Sequence, residues 1–188
     1  MFQYFTIIAF LIGCPENFKQ GRKCVHPIWE KITNIDKENA EILSDKCYFR
    51  RNLDFNGLTT LDKDTAEILV SIQGYEIDYL NLNGLKTLNK DTALALASFQ
   101  GEDLNLNGLT TLDKDTALAL ASLKVQTFYL NGLTTLDKDT AEALAPLKVQ
   151  TLHLEGITTL SKDSLMIILA IPRYRVYISS DFLKNIDK

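Results

Sequence analysis

Between Asn52 and Ala170 the apolar and polar positions repeat one short pattern. In the stretch from Asp103 to Lys124, Leu104 and Leu106 alternate with Asp103, Asn105 and Asn107. That is the period-two pattern of a short strand with one buried face. Asn107-Gly108 follows and predicts a turn, because both residue types tolerate positive φ. Leu109 and Leu112 are expected to point inward from the connecting loop. Asp113 is placed to cap a helix, and Asp115 puts negative charge in its first turn, where the helix dipole favours it. Ala117, Leu120 and Ala121 fall at helical spacing and are expected to form the inward stripe. Each unit thus predicts a strand, a turn and a helix.

The unit recurs as LNLNGLKTLNKDTALALAS, LNLNGLTTLDKDTALALAS, YLNGLTTLDKDTAEALA and HLEGITTLSKDSLMIILA. Its glycines are Gly57, Gly84, Gly108, Gly132 and Gly156, spaced by 27, 24, 24 and 24 residues. Self-similarity at such a period predicts a solenoid, in which each unit buries its apolar face against its neighbours. The phrase LxLxGLxxL followed by an Ala/Leu helix resembles a short bacterial variant of the leucine-rich repeat over residues 52–171. Leu109 and its equivalents stand where the commonest form of that repeat has a buried Asn. The resemblance implies an α/β fold: a right-handed leucine-rich-repeat solenoid with parallel strands on one face and short helices on the other. Trp29 to Leu43 matches the phrase with Lys31 at the Gly position, so residues 25–51 read as a degenerate first repeat. Five repeats follow in 52–171, then a closing strand and cap in 172–188, with Asp181, Phe182 and Leu183 departing from the pattern. About seven strands stacked at roughly 4.8 Å would make a parallel sheet about 30 Å across.

The first fourteen residues, MFQYFTIIAFLIGC, differ in kind. Tyr4 to Ile12 is an uncharged apolar run ending in Leu11-Ile12-Gly13-Cys14, a tetrad that resembles the lipobox of bacterial lipoproteins. The resemblance implies removal of residues 1–13 as a signal peptide, acylation of Cys14 and membrane attachment through that lipid anchor only. No Lys or Arg precedes the apolar run, so a plain secretory signal and a buried or disordered N-terminal segment are alternative readings. Residues 14–24 read as a tether and the start of an N-terminal cap. Cys24 and Cys47 are then an even pair. In an exported protein they are expected to form a disulfide, worth roughly 3 kcal/mol; in a cytoplasmic one they are buried thiols. Neither a third nearby Cys nor a closely spaced His pair is present, so no metal site is predicted.

Composition narrows the function by exclusion. The 188 residues carry 20 Lys and Arg against 24 Asp and Glu, a net charge of −4. That balance argues against a nucleic-acid groove, which needs clustered cations, and no stretch is long enough for an ordinary transmembrane helix. The only histidines are His26 and His153, and no nucleophile, zinc or phosphate-loop motif accompanies them. The chain is therefore expected to be no enzyme and to use no cofactor.

Three rows of side chains should face outward from the strands. The row directly before each Gly reads Asn56, Asn83, Asn107, Asn131, Glu155, Ser179. It reads either as a recognition ladder or as residues that serve the turn, and the turn is the preferred reading. The middle row is Asp54, Asn81, Asn105, Tyr129, His153, Tyr177, and the outer row is Asn52, Tyr79, Asp103, Thr127, Thr151, Arg175. These two rows change along the chain where the framework does not. Tyr129, His153 and Tyr177, flanked by Glu155 and Arg175, are the predicted partner-binding patch, because Tyr and Arg dominate binding energy at interfaces. Ordinary cross-strand pairing on a solvated face is the competing reading. The expected partner is another protein or a surface glycan. The expected role is a protein-binding scaffold at the bacterial envelope, against a structural spacer or a cytoplasmic adaptor. The stacked Asp-Lys-Asp series is assigned to helix capping rather than to calcium, and Leu94 and Leu118 are expected to be partly exposed.

Overall fold

The computed structural model describes residues 33–38, 40, 52–71, 77–171 and 175–180. The expectations for residues 1–24, for His26, for Cys14, Cys24 and Cys47, and for Asp181, Phe182 and Leu183 lie outside the described residues.

Strands and short helices alternate along the chain. They are β1 (Asn52–Asp54), α1 (Lys63–Ser71), β2 (Tyr79–Asn81), α2 (Lys90–Leu96), β3 (Asp103–Asn105), α3 (Lys114–Leu120) and β4 (Thr127–Tyr129). Then come β5 (Thr135–Leu136), α4 (Lys138–Leu144), β6 (Thr151–Leu154), β7 (Thr159–Leu160), α5 (Lys162–Leu169) and β8 (Arg175–Ile178). Among the described residues six strands form one parallel sheet in the order β1-β2-β3-β4-β6-β8. The register is the repeat itself: Leu80 opposes Leu104, Leu104 opposes Phe128, and Phe128 opposes Leu152. A second parallel pair, β5 with β7, lies in the strand-to-helix loops and was not expected from the sequence.

The leucines of the two-residue alternation are buried as predicted, but Asn81 and Asn105 between them, expected to face outward, are buried too. Leu104, Leu106 and Leu109 are fully buried, as are their equivalents Leu80, Leu82 and Leu85. The main chain stays paired beyond the strands, with Leu82 N–H donating to Asn105 O at 2.9 Å and Leu106 N–H to Tyr129 O at 3.0 Å. Residues 33–38 and 40 continue the stack on the N-terminal side. Ile35 and Ala40 join the core, and Thr59 N–H donates to Thr33 O at 3.1 Å.

Helices α2, α3 and α4 have seven residues each, too short to persist alone, so tertiary packing holds them. The starts of α2, α3, α4 and α5 are capped as the sequence predicts. Asn89, Asp113, Asp137 and Ser161 each accept from the backbone N–H three residues on. Asp113→Ala is therefore expected to lower stability by about 1 kcal/mol, and Asp113→Asn by much less, measured by urea unfolding. The inward stripe differs from the expected one. Thr116, Ala117, Ala119 and Leu120 are buried, whereas Ala121 is the half-buried C-cap. A helix with a neighbour on each flank has its sides covered as well as its inner face, and small residues permit that approach. Thr116 adds a bond: its Oγ1 lies 3.4 Å from Leu88 O of the preceding unit, matched by Thr92 to Leu61 O and Thr140 to Leu112 O.

The glycines are explained by contact rather than by dihedral. None of Gly84, Gly108, Gly132 and Gly156 lies in the left-handed φ region, so these glycines do not use the positive φ that the Asn-Gly pair tolerates. A Cβ on Gly108 would lie 2.0 Å from Asn83 O and 2.4 Å from Leu85 O. The turn of each unit rests directly on the backbone of the one before.

Candidate functional site

The outward face of the six-stranded sheet carries the side chains that vary among units. In-register parallel strands lie about 4.8 Å apart, so equivalent side chains fall into rows at that spacing. Tyr129 opposes His153, and His153 opposes Tyr177. Their rings stack accordingly, with centroids 4.6 Å apart at 16° and 4.7 Å apart at 9°. The structure thus brings together the three aromatic residues singled out from the sequence.

Both faces of the His153 ring are covered by tyrosines. Its Nδ1 lies 3.4 Å from Glu155 Oε2, which leaves Nε2 as the nitrogen not engaged by that carboxylate. Tyr177 is 43% exposed, so among the described residues the row ends on an accessible ring. Arg175, on the same strand, is exposed and paired in register with Thr151. The Tyr129 phenol is pushed above its ordinary range, first by burial and then by the negative charge of Asp103. It is accordingly a neutral donor at physiological pH. Because the rings cover one another's faces, the middle of the row offers edges and polar atoms to a partner.

The other half of the face is built differently. Asn105 Nδ2 donates to the Tyr79 hydroxyl at 2.7 Å, and Asn105 Oδ1 accepts from Asn107 N–H at 3.1 Å. Asn81 and Asn105 are 7% exposed. These polar groups are occupied within the protein and have little left for a ligand. The Tyr79–Asn105 pair was not foreseen, since it joins the outer row of one unit to the middle row of the next.

The asparagines before glycine turn out to have a role between units. Asn83 Oδ1 accepts from Asn107 N–H at 3.0 Å, Asn107 Oδ1 from Asn131 N–H at 2.7 Å, and Asn131 Oδ1 from Glu155 N–H at 2.9 Å. The turn-serving bonds come instead from the middle row, where Asp54, Asn81 and Asn105 each accept from the N–H two residues on.

Two further features lie away from the strand face. A groove of about 820 Å³ runs along the loops past Thr111, Thr135 and Thr159. The Asp113, Asp137 and Ser161 side chains that line it already accept helix N–H bonds at 2.8, 2.7 and 3.0 Å. On the helices, Leu94 and Leu118 are each 48% exposed, as expected. The acidic series caps helices and pairs across units, as in Lys114–Asp139 at 3.2 Å and Lys138–Asp163 at 3.8 Å. Among the described residues no group of three or more His, Cys, Asp or Glu is arranged to hold a metal ion, and no helix is long and apolar enough to cross a membrane. Compared with family models and with curated proteins, the sequence matches none.

Proposed function

We propose that this chain is a non-catalytic scaffold of the leucine-rich-repeat kind that binds another protein on the C-terminal half of its strand face. The observation that carries the reading is the Tyr129–His153–Tyr177 stack, with exposed Arg175 and Glu155 beside it. Stacked rings hold their rotamers before binding, so little side-chain entropy remains to be lost when a partner docks. Tyr and Arg then supply apolar area and directed hydrogen bonds together. The Asn81 and Asn105 end of the face spends its polar groups internally, which is why the proposal is confined to the other end.

The N-terminal segment extends the reading to location. In this proposal Cys14 is acylated after removal of residues 1–13, Cys24 and Cys47 form a disulfide, and the protein stands at the outer side of a bacterial membrane. Palmitate labelling of the wild type, lost in Cys14→Ala, is the expected result. An unprocessed, unlabelled chain would sink the membrane anchor without touching the strand-face proposal.

Replacing Tyr129, His153 and Tyr177 together by Ala tests the binding site. Pull-down with the wild-type repeat domain is expected to recover discrete protein partners, and the triple variant is expected to lose them by at least tenfold, about 1.4 kcal/mol or more. Undiminished capture by a folded variant would remove the patch from consideration. Recovery of glycans in place of proteins would change the partner class, and recovery of nothing by either form would favour a spacer.

A further inference from the structure

Four Asn-Gly dipeptides occur in the repeats, at Asn56-Gly57, Asn83-Gly84, Asn107-Gly108 and Asn131-Gly132. All four asparagines are half-buried and occupy the same place in their units. They differ in what their side-chain amides do. Asn83, Asn107 and Asn131 each hold the main-chain N–H of the next unit, at 3.0, 2.7 and 2.9 Å. Among the described residues the Asn56 side chain makes no such bond; the Asn83 N–H is taken instead by Asn81 Oδ1 at 3.1 Å.

We propose that Asn56 is a site of spontaneous deamidation and isoaspartate formation in the folded protein, and that the ladder protects the other three Asn-Gly sites. The reaction needs no catalyst and no redox partner. The Gly57 main-chain nitrogen attacks the Asn56 side-chain carbonyl carbon, forming a new C–N bond. The bond from that carbon to the amide nitrogen breaks, and ammonia leaves with the proton that the glycine nitrogen gave up. Water then opens the cyclic imide at either carbonyl, leaving an aspartyl or an isoaspartyl residue. The balance is one side-chain amide and one water converted to one carboxyl group and one ammonia. Glycine as the following residue has no side chain to obstruct the attack.

The ladder opposes the first step geometrically. For Asn83, Asn107 or Asn131 to bring its side-chain carbon to the following nitrogen, it must swing away from the neighbouring unit. Movement of Asn107 or Asn131 strands the Asn131 or Glu155 N–H, and losing such a bond slows the reactive conformer by about fivefold to a hundredfold. Movement of Asn83 costs less, because the Asn107 N–H also donates to Asn105 Oδ1 at 3.1 Å. Asn56 has no ladder bond to break. Conversion there places a carboxylate two residues from Asp54, whose Oδ1 accepts from the Asn56 N–H. The isoaspartyl product also lengthens the main chain of the turn by one carbon.

The test is timed peptide mapping by mass spectrometry of the folded full chain in mildly alkaline buffer, beside the same chain held in urea. In the folded protein the Asn56 peptide is expected to convert first, with Asn107 and Asn131 at least about fivefold slower and Asn83 between them. In urea all four are expected to convert at similar rates. Conversion of Asn56 level with or behind the others in the folded chain would overturn the proposal. Hydrogen exchange at Leu58, whose N–H donates to Phe55 O at 2.9 Å, tells reaction of the folded turn from fraying. An unprotected Leu58 amide, with Asn56 converting as fast as in urea, would also overturn it.

Discussion

Gly108→Ala is expected to destabilise the protein by about 3 kcal/mol or more, near the upper end for a single added methyl group. The new Cβ would meet Asn83 O at 2.0 Å and Leu85 O at 2.4 Å, two main-chain atoms that no side-chain rotation can move aside. The units must therefore separate at that junction. Separation strains the paired backbone on either side, including Leu82 N–H to Asn105 O at 2.9 Å, and the Asn83–Asn107 ladder bond at 3.0 Å. In a stacked repeat each interface term stabilises both neighbours, so a central lesion weakens the stack in both directions. Urea unfolding should show a lower midpoint with a broadened or split transition. An unchanged midpoint would mean that the turn is free to shift, contrary to the contact argument. Positive φ plays no part, so Gly108→Asn should be as damaging as Gly108→Ala.

Phe128→Ala is the second large effect, expected at about 3–5 kcal/mol. Phe128 is fully buried at the centre of β4, between Leu104 and Leu152 on the flanking strands. Most equivalent positions carry leucine, so the layer around it is fitted to a larger side chain at one place only. Truncation leaves a cavity that parallel neighbours, each held by its own hydrogen bonds, cannot collapse to fill. Phe128→Leu restores the residue found at Leu80 and Leu104 and is expected to lose much less. The same urea experiment separates the two variants, and equal losses would show that the layer has no preference for the ring.

Features that act within a few residues were legible in the sequence, and several contacts between units were not. The caps were readable because a cap acts over three residues: Asp113 meets Thr116 N–H at 2.8 Å whatever the rest of the chain does. The buried leucines were readable because alternation is local. The Tyr129–His153–Tyr177 row was readable once the repeat was recognised, since equal spacing in sequence becomes adjacency in a parallel sheet. The role of the pre-glycine asparagines was not. Asn before Gly suits a turn on local grounds, yet Asn107 spends its carbonyl oxygen on Asn131 N–H, a residue 24 positions away. Tyr79 with Asn105 escaped for a related reason, because a diagonal contact between two rows depends on side-chain lean.

The order of residues is enough to specify the content of one unit and its repetition: alternating leucines make the strand, an acidic or hydroxyl cap starts the helix, and copying makes a stack. These follow from forces that act within a few residues or recur with the period. The tertiary structure alone decided the contacts between units. It placed each turn on the backbone before it, converted turn-type asparagines into a ladder, left Asn56 without that bond and pressed three rings into one row. Such features depend on the distance and offset between neighbouring layers, and those are set by packing of the whole stack rather than by any unit alone.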